Sequence, residues 1–110
     1  MAYRRGDVVV LPFPFTDLSA AKTRPAVVVS ASEFERVTGD FTVAMITSRR
    51  HDTAYDCTLV EWKKARLLFP SWVRAKLVTL NPSLVRHRPG RLSAGDLAEV
   101  EKRVRRSLAL

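Results

Sequence analysis

Cysteine and histidine are scarce in this chain of 110 residues, with one of the first, Cys57, and two of the second, His51 and His87. A lone cysteine excludes an internal disulfide, and two histidines with one thiol cannot assemble a zinc set at familiar spacing, so no metal and no cofactor is expected. Cys57 has no activating neighbour in sequence and reads as a small strand residue rather than a nucleophile. Apolar runs are short. None approaches the roughly 18 residues a membrane helix needs, and "MAYRRGDVVV" is too brief for a secretory signal, so a soluble cytoplasmic protein with no membrane partner is expected. Internal repeats, low-complexity stretches and linkers are also missing, which leaves a single domain over residues 1–110. Acidic residues are few as well. Eleven aspartates and glutamates stand against nineteen lysines and arginines, a formal net charge of +8. On so small a body that excess creates a field that recruits polyanions, either a nucleic acid or an acidic protein segment.

What is present is mostly strand. "GDVVVLPFPF" opens on a Gly6-Asp7 turn and continues as a β-branched run ended by Pro12 and Pro14. "TDLSAAKT", residues 16–23, is a small polar loop. "PAVVVS" and "FTVAMITS" are the next two strands, with a short turn or one helical turn over "SASEFERVTGD" between them. After the polar loop "RRHDTAYD", "CTLVEW" alternates as a further strand. "LLFPSWVRAKLVTL" is another, with Val73, Ala75 and Leu77 on a core face and Trp72, Arg74 and Lys76 on the opposite one. "NPSLVRHRPGR" carries turn breakers around a final short strand or 3₁₀ turn at Leu84 and Val85. In "LSAGDLAEVEKRVRRSLAL", Ser93 stands three residues before Asp96 in a capping-box pattern. Leu97, Val100, Val104 and Leu108 then form a helical apolar stripe. Short strands, polar loops and one terminal amphipathic helix predict a mainly β fold: a small, curved antiparallel sheet or partly open barrel with a C-terminal helix.

Several side chains invite chemistry. His51 and His87 are the only ones whose ordinary pKa suits acid–base work near neutrality, although an exposed loop histidine is the plainer reading of each. His87 is the better candidate because Arg88 and Arg91 follow it and are expected near the same groove. Trp72 beside Arg74 offers a stacking face with a cation, or else lies under the helix or in a dimer interface. Lys22, Arg49, Arg50 and Lys76 complete a set of candidate nucleic-acid-binding cations with Arg74, and His51 joins them. "KKAR" and "KRVRR" are charge runs, by default solvated surface.

The ordered segments "RRGDVVVLPFPFTDLSAAKTRPAVVVS", "AMITSRR" and "PSWVRAKLVTLNPSLVRHRPGRLS" resemble the MazF/PemK family of type II toxin–antitoxin toxins, on its PemK-like branch. The resemblance runs from Gly6 to Leu108. It implies an SH3-like barrel with a C-terminal helix, a homodimer, and a cognate antitoxin with an acidic segment. The implied activity is metal-independent, sequence-selective cleavage of single-stranded RNA by attack of the 2′-OH, leaving a 2′,3′-cyclic phosphate. Arg24 in "TRPAVVVS" and Thr47 in "ITS" match the family's active-site arginine and threonine, and Arg74 in "SWVRA" matches a position used for RNA in some members. Two places depart from the pattern. Lys76 stands where many relatives have an acidic residue, and Ser19-Ala20 stand where the MazF branch often has Glu and Gln.

In such a reaction Arg24 suits the phosphorane, because a guanidinium is planar, bidentate and always charged. Thr47 can donate its hydroxyl to a phosphate oxygen. Two other readings stay open: a non-catalytic toxin of the same fold that contacts a protein target such as gyrase, and a degenerate nucleic-acid-binding module.

Overall fold

The β-branched runs form the centre of a six-stranded antiparallel sheet. The computed structural model describes residues 3–12 and 22–110. In chain order the strands are β1 (Asp7–Pro12), β2 (Thr23–Val28), β3 (Phe41–Thr47), β4 (Cys57–Thr58), β5 (Trp72–Leu80) and β6 (His87–Arg91). They lie in the order β4-β5-β3-β2-β1-β6 and curl into an open half-barrel. Helix α1 (Ser32–Thr38) links β2 to β3, a 3₁₀ turn (Pro82–Leu84) precedes β6, and α2 (Ala94–Leu108) closes the chain. Among the described residues no helix is long and apolar enough to cross a membrane.

Both faces of the curled sheet are dry, which is why "VVVL" and "AVVV" read as nearly continuous apolar runs. Val8, Val27, Ala44, Ile46 and Val73 point to one side, where Val100, Leu97 and Val104 of α2 pack on them. Val9, Leu11, Ala26, Val28, Phe41 and Val43 form the core on the other side, with Tyr3 against Phe41. Asp7 is fully buried in between and is held by Arg91 Nη1 at 2.6 Å and by the Arg4 amide at 2.8 Å. A buried carboxylate needs such partners.

Helix α2 starts on Ser93, whose hydroxyl accepts the Asp96 amide at 3.2 Å. Only that half of the expected capping box forms. The buried Asp96 carboxylate turns away to accept the amides of Val60 and Glu61 at 3.0 and 2.8 Å. The same contacts correct the expected strand over "CTLVEW". Pairing with β5 stops at Thr58, and residues 60–66 form successive turns anchored on the helix N-terminus. The apolar stripe holds for Leu97, Val100 and Val104, whereas Leu108 is half exposed. The expected strand from "LLFPS" is also shorter: β5 begins at Trp72, and Leu68 and Phe69 stand out in a bend before it. Val73 and Leu77 face the helix side as expected. The register slips between Ala44↔Leu77 and Ile46↔Val73, so β5 has extra residues opposite Met45 and Ala75 is only half-buried.

Candidate active site

The register of β2 and β3 creates the site. Ala26 pairs with Met45, so two residues further Arg24 would lie opposite Thr47, yet the ladder ends at Ala26. Pro25 has no N–H to continue it. The two strands therefore separate where Arg24 and Thr47 face each other, each held by a different neighbour. Arg24 pairs with Leu11 of β1, and Thr47 pairs with Trp72 of β5. On the far side of β1, His87 pairs with Val10, itself the partner of Pro25. Strand β6 thus brings His87 to the same end of the sheet.

A cleft of about 410 Å³ opens there, and Arg24, Thr47 and His87 all line it. The three catalytic candidates of the sequence converge on one concavity. Arg66, Leu67, Leu68 and Phe69, from the segment between β4 and β5, add a further wall that carries no candidate from the sequence. Leu68 is 85% and Phe69 61% exposed, unusual for large apolar residues beside a cluster of polar ones. Arg66 has φ of 61°, a left-handed conformation that is uncommon outside glycine. This wall is fixed from behind by Gly90, where a Cβ would stand 2.7 Å from the Ala65 carbonyl oxygen and 3.3 Å from Arg66 Cγ. Only glycine lets β6 run so close. "ARLLFPS" does hold a signal, an apolar trio with no helical or strand partner placed just before a proline.

The electrostatics are one-sided. Among the described residues two guanidiniums and one imidazole line the cleft, and no carboxylate does. Thr47 Oγ1 accepts the Arg49 amide at 3.1 Å, which uses an oxygen lone pair and leaves the hydroxyl proton free to donate outward. Arg24 makes no ion pair among the described residues. Arg88 and Arg91 do not join the cleft as expected. Both turn toward Asp7, at 3.6 and 2.6 Å.

The RNA-binding candidates divide. Lys22 is exposed at the start of β2, and Arg49 is exposed beside Thr47. Arg50, His51 and Trp72 line a second, polar cleft of about 430 Å³ with Arg103 and Arg106 of α2. Arg50 is paired there with Asp52 at 2.9 Å. Arg74 is tied inward, its Nε 3.0 Å from Oδ1 of Asp56, a residue only 8% exposed. Burial is the largest influence on Asp56 and pushes its pKa up. Hydrogen bonds from the Thr53 hydroxyl and amide and from Arg74 outweigh it and hold the carboxyl below the ordinary value. Lys76 is exposed on β5, in the irregular stretch. Cys57 is buried, and burial pushes its thiol pKa up, which makes it inert. Ser19 and Ala20 lie outside the described residues. Among the described residues no group of three or more His, Cys, Asp or Glu is placed to hold a metal ion.

Residues 4–108 match the family of PemK-like, MazF-like toxins of type II toxin-antitoxin systems. No curated protein matches the chain by sequence. Among solved structures, MazF from Deinococcus radiodurans superposes with a TM-score of 0.79 at 26% identity, covering 100% of this chain and 99% of that one. A MazE-MazF structure from the same organism gives 0.79 at 27% identity, with 100% and 99% covered. An endoribonuclease in complex with its cognate antitoxin, from a mycobacterial species, gives 0.83 at 20% identity, with 99% and 97% covered, a likeness of fold.

Proposed function

Because the chain belongs to the PemK-like, MazF-like family of type II toxins, we propose that it is a sequence-selective endoribonuclease that cuts single-stranded RNA at the Arg24–Thr47–His87 cleft. The observation that carries this reading is the convergence of those three side chains, from β2, β3 and β6, on one cleft lined by cations and free of carboxylates among the described residues. A polyanion with a scissile phosphate suits such a concavity, and a cationic or neutral substrate does not.

The residues divide the work as follows. The imidazole of His87 takes the proton of the ribose 2′-OH. The 2′ oxygen attacks the adjacent phosphorus in line, and the bond from phosphorus to the 5′ oxygen breaks. A 2′,3′-cyclic phosphate remains on one fragment, and a 5′-OH, protonated from water, on the other. Arg24 offsets the charge that builds on the phosphorane oxygens, with the Thr47 hydroxyl donating to one of them. Arg66, which also lines the cleft, offsets the charge on the leaving oxygen. No step calls on a metal ion. The exposed Leu68 and Phe69 supply an apolar face on which a base can rest. Lys22, Arg49, Arg50, His51, Trp72 and Lys76 are proposed to bind RNA, whereas Arg74, paired with the buried Asp56, orders the loop before β4.

The regulatory partner is an antitoxin whose acidic segment lies over the same cations. The active assembly is a homodimer, checked by light scattering of the purified protein. The decisive assay incubates the protein with mixed-sequence RNA in EDTA and maps the ends. Cleavage with 2′,3′-cyclic phosphate ends, reduced about 10²- to 10³-fold in Arg24→Ala, is expected. Intact RNA with growth arrest would point to a protein target, and intact RNA without toxicity to a degenerate binding module.

A further inference from the structure

The second cleft shares a wall with the first. Thr47, which lines the first, is the cross-strand partner of Trp72, which lines the second. Directly opposed residues on antiparallel strands have Cα atoms about 4.5–5.5 Å apart. An RNA strand that leaves the scissile position across Thr47 therefore meets Trp72 in its next step. The far side of the second cleft is made by α2, which contributes Arg103 and Arg106.

The charges in this cleft are already sorted. Asp52 is matched by Arg50 at 2.9 Å and Asp56 by Arg74 at 3.0 Å, so both carboxylates are neutralised within the protein. Arg103 is held in place by donating from Nη1 to the neutral Asp56 carbonyl at 2.9 Å and makes no ion pair among the described residues. Arg106 is exposed and has no ion-pair partner among the described residues. The site thus offers a half-buried indole, two guanidiniums outside any ion pair among the described residues and about 430 Å³, a volume in the range of small-molecule sites.

We propose that this cleft is a subsite for the nucleotide next to the scissile one, with its base against Trp72 and its phosphate on Arg103 and Arg106. The site extends the ribonuclease reading above and rests on it. Indole and guanidinium side by side bind a nucleotide through stacking and charge, without base-edge readout. The subsite therefore adds affinity and sets the length of RNA engaged. The recognised word is read elsewhere. Arg106, which sequence reading left as solvated helix surface, becomes a substrate contact.

The test compares a minimal oligoribonucleotide containing the cleaved word with the same word extended by one nucleotide on the 5′ or the 3′ side. Affinity is measured by anisotropy with a 2′-deoxy residue at the scissile position, so that nothing is cut. In the wild type, extension on one side should tighten binding about 5- to 150-fold. That gain should fall to within about twofold in Arg106→Ala and in Trp72→Ala but persist in Trp72→Phe, which keeps an aromatic face. The slope of log K against log salt for the extended RNA should also become shallower by about 0.7 in Arg106→Ala. No gain from extension on either side, or a gain and salt slope unaltered in Arg106→Ala, would overturn the proposal. A protein that cuts no RNA would overturn the ribonuclease reading and the subsite with it, because no cleaved word would then exist; cleavage with no gain from extension would overturn the subsite alone.

Discussion

His87 is the only group lining the cleft, among the described residues, with an imidazole to accept a proton. Replacing it with glutamine keeps a hydrogen-bonding side chain of similar reach but removes the base. His87→Gln should lower the single-turnover cleavage rate about 10²- to 10⁴-fold. Binding of a 2′-deoxy RNA should change far less, and a parallel loss of binding would assign His87 to the substrate contact instead. At this scale the sequence was partly legible. Resemblance named Arg24 and Thr47, His87 stood out as one of only two imidazoles, and the cleft brings the three candidates together. Arg66, Leu68 and Phe69 were not found, because their role depends on a turn segment folding back over the sheet. No periodicity in "KKARLLFPS" encodes that. Arg74 was read as facing RNA because alternation puts it opposite the core, but alternation cannot show that the buried Asp56 lies within 3.0 Å of it.

The segment between β4 and β5 is the element on which cleft geometry depends, and Gly90 is its seat. A methyl group there meets the Ala65 carbonyl oxygen at 2.7 Å, so backbone has to move. Gly90→Ala should lose about 1–3 kcal/mol of stability, read by urea unfolding, the usual cost of overpacking a tight site. It should also raise KM, because the displaced wall carries Arg66 and Phe69. The loop before β4 depends in the same way on Asp56. Its carboxyl pKa is held below the ordinary value of about 3.9 by Thr53 and Arg74 despite burial. Between the folded and unfolded pKa values the unfolded chain binds the proton more readily, so this contribution is complete above about pH 4 and is lost as pH falls through the folded value. Asp56→Asn should therefore be less stable than wild type at pH 7. The gap in urea midpoint should narrow below about pH 4, and a gap constant with pH would refute the argument. The strands β1, β2 and β3 were legible as β-branched runs bounded by turn residues. The ends of β4 and β5 were not, because a carboxylate 35 and 36 residues away in α2 takes up the amides of Glu61 and Val60 and stops the strand.

For the whole molecule the governing quantity is charge. A net +8 creates a field that draws in a polyanion from a distance, but only cations that meet phosphates at contact release counterions and steepen the salt dependence. Arg24 and Arg66 both line the cleft, with no carboxylate among the described residues that line it to neutralise them. Two phosphate contacts on single-stranded RNA correspond to a slope of about −1.4 in log K against log salt. The wild-type slope with a minimal oligonucleotide should be at least that steep, and Arg24→Ala should remove about half of it. A slope near zero would mean that the basic surface is solubility charge and that binding, if present, is carried by the apolar wall of Leu68 and Phe69. The same measurement extends to the antitoxin. A segment that competes for these cations should bind with a comparable salt dependence, and its affinity should fall in Arg24→Ala by a factor similar to that for RNA. A complex indifferent to both salt and Arg24 would show that the antitoxin inhibits from another face, and would separate the electrostatics of inhibition from those of substrate binding.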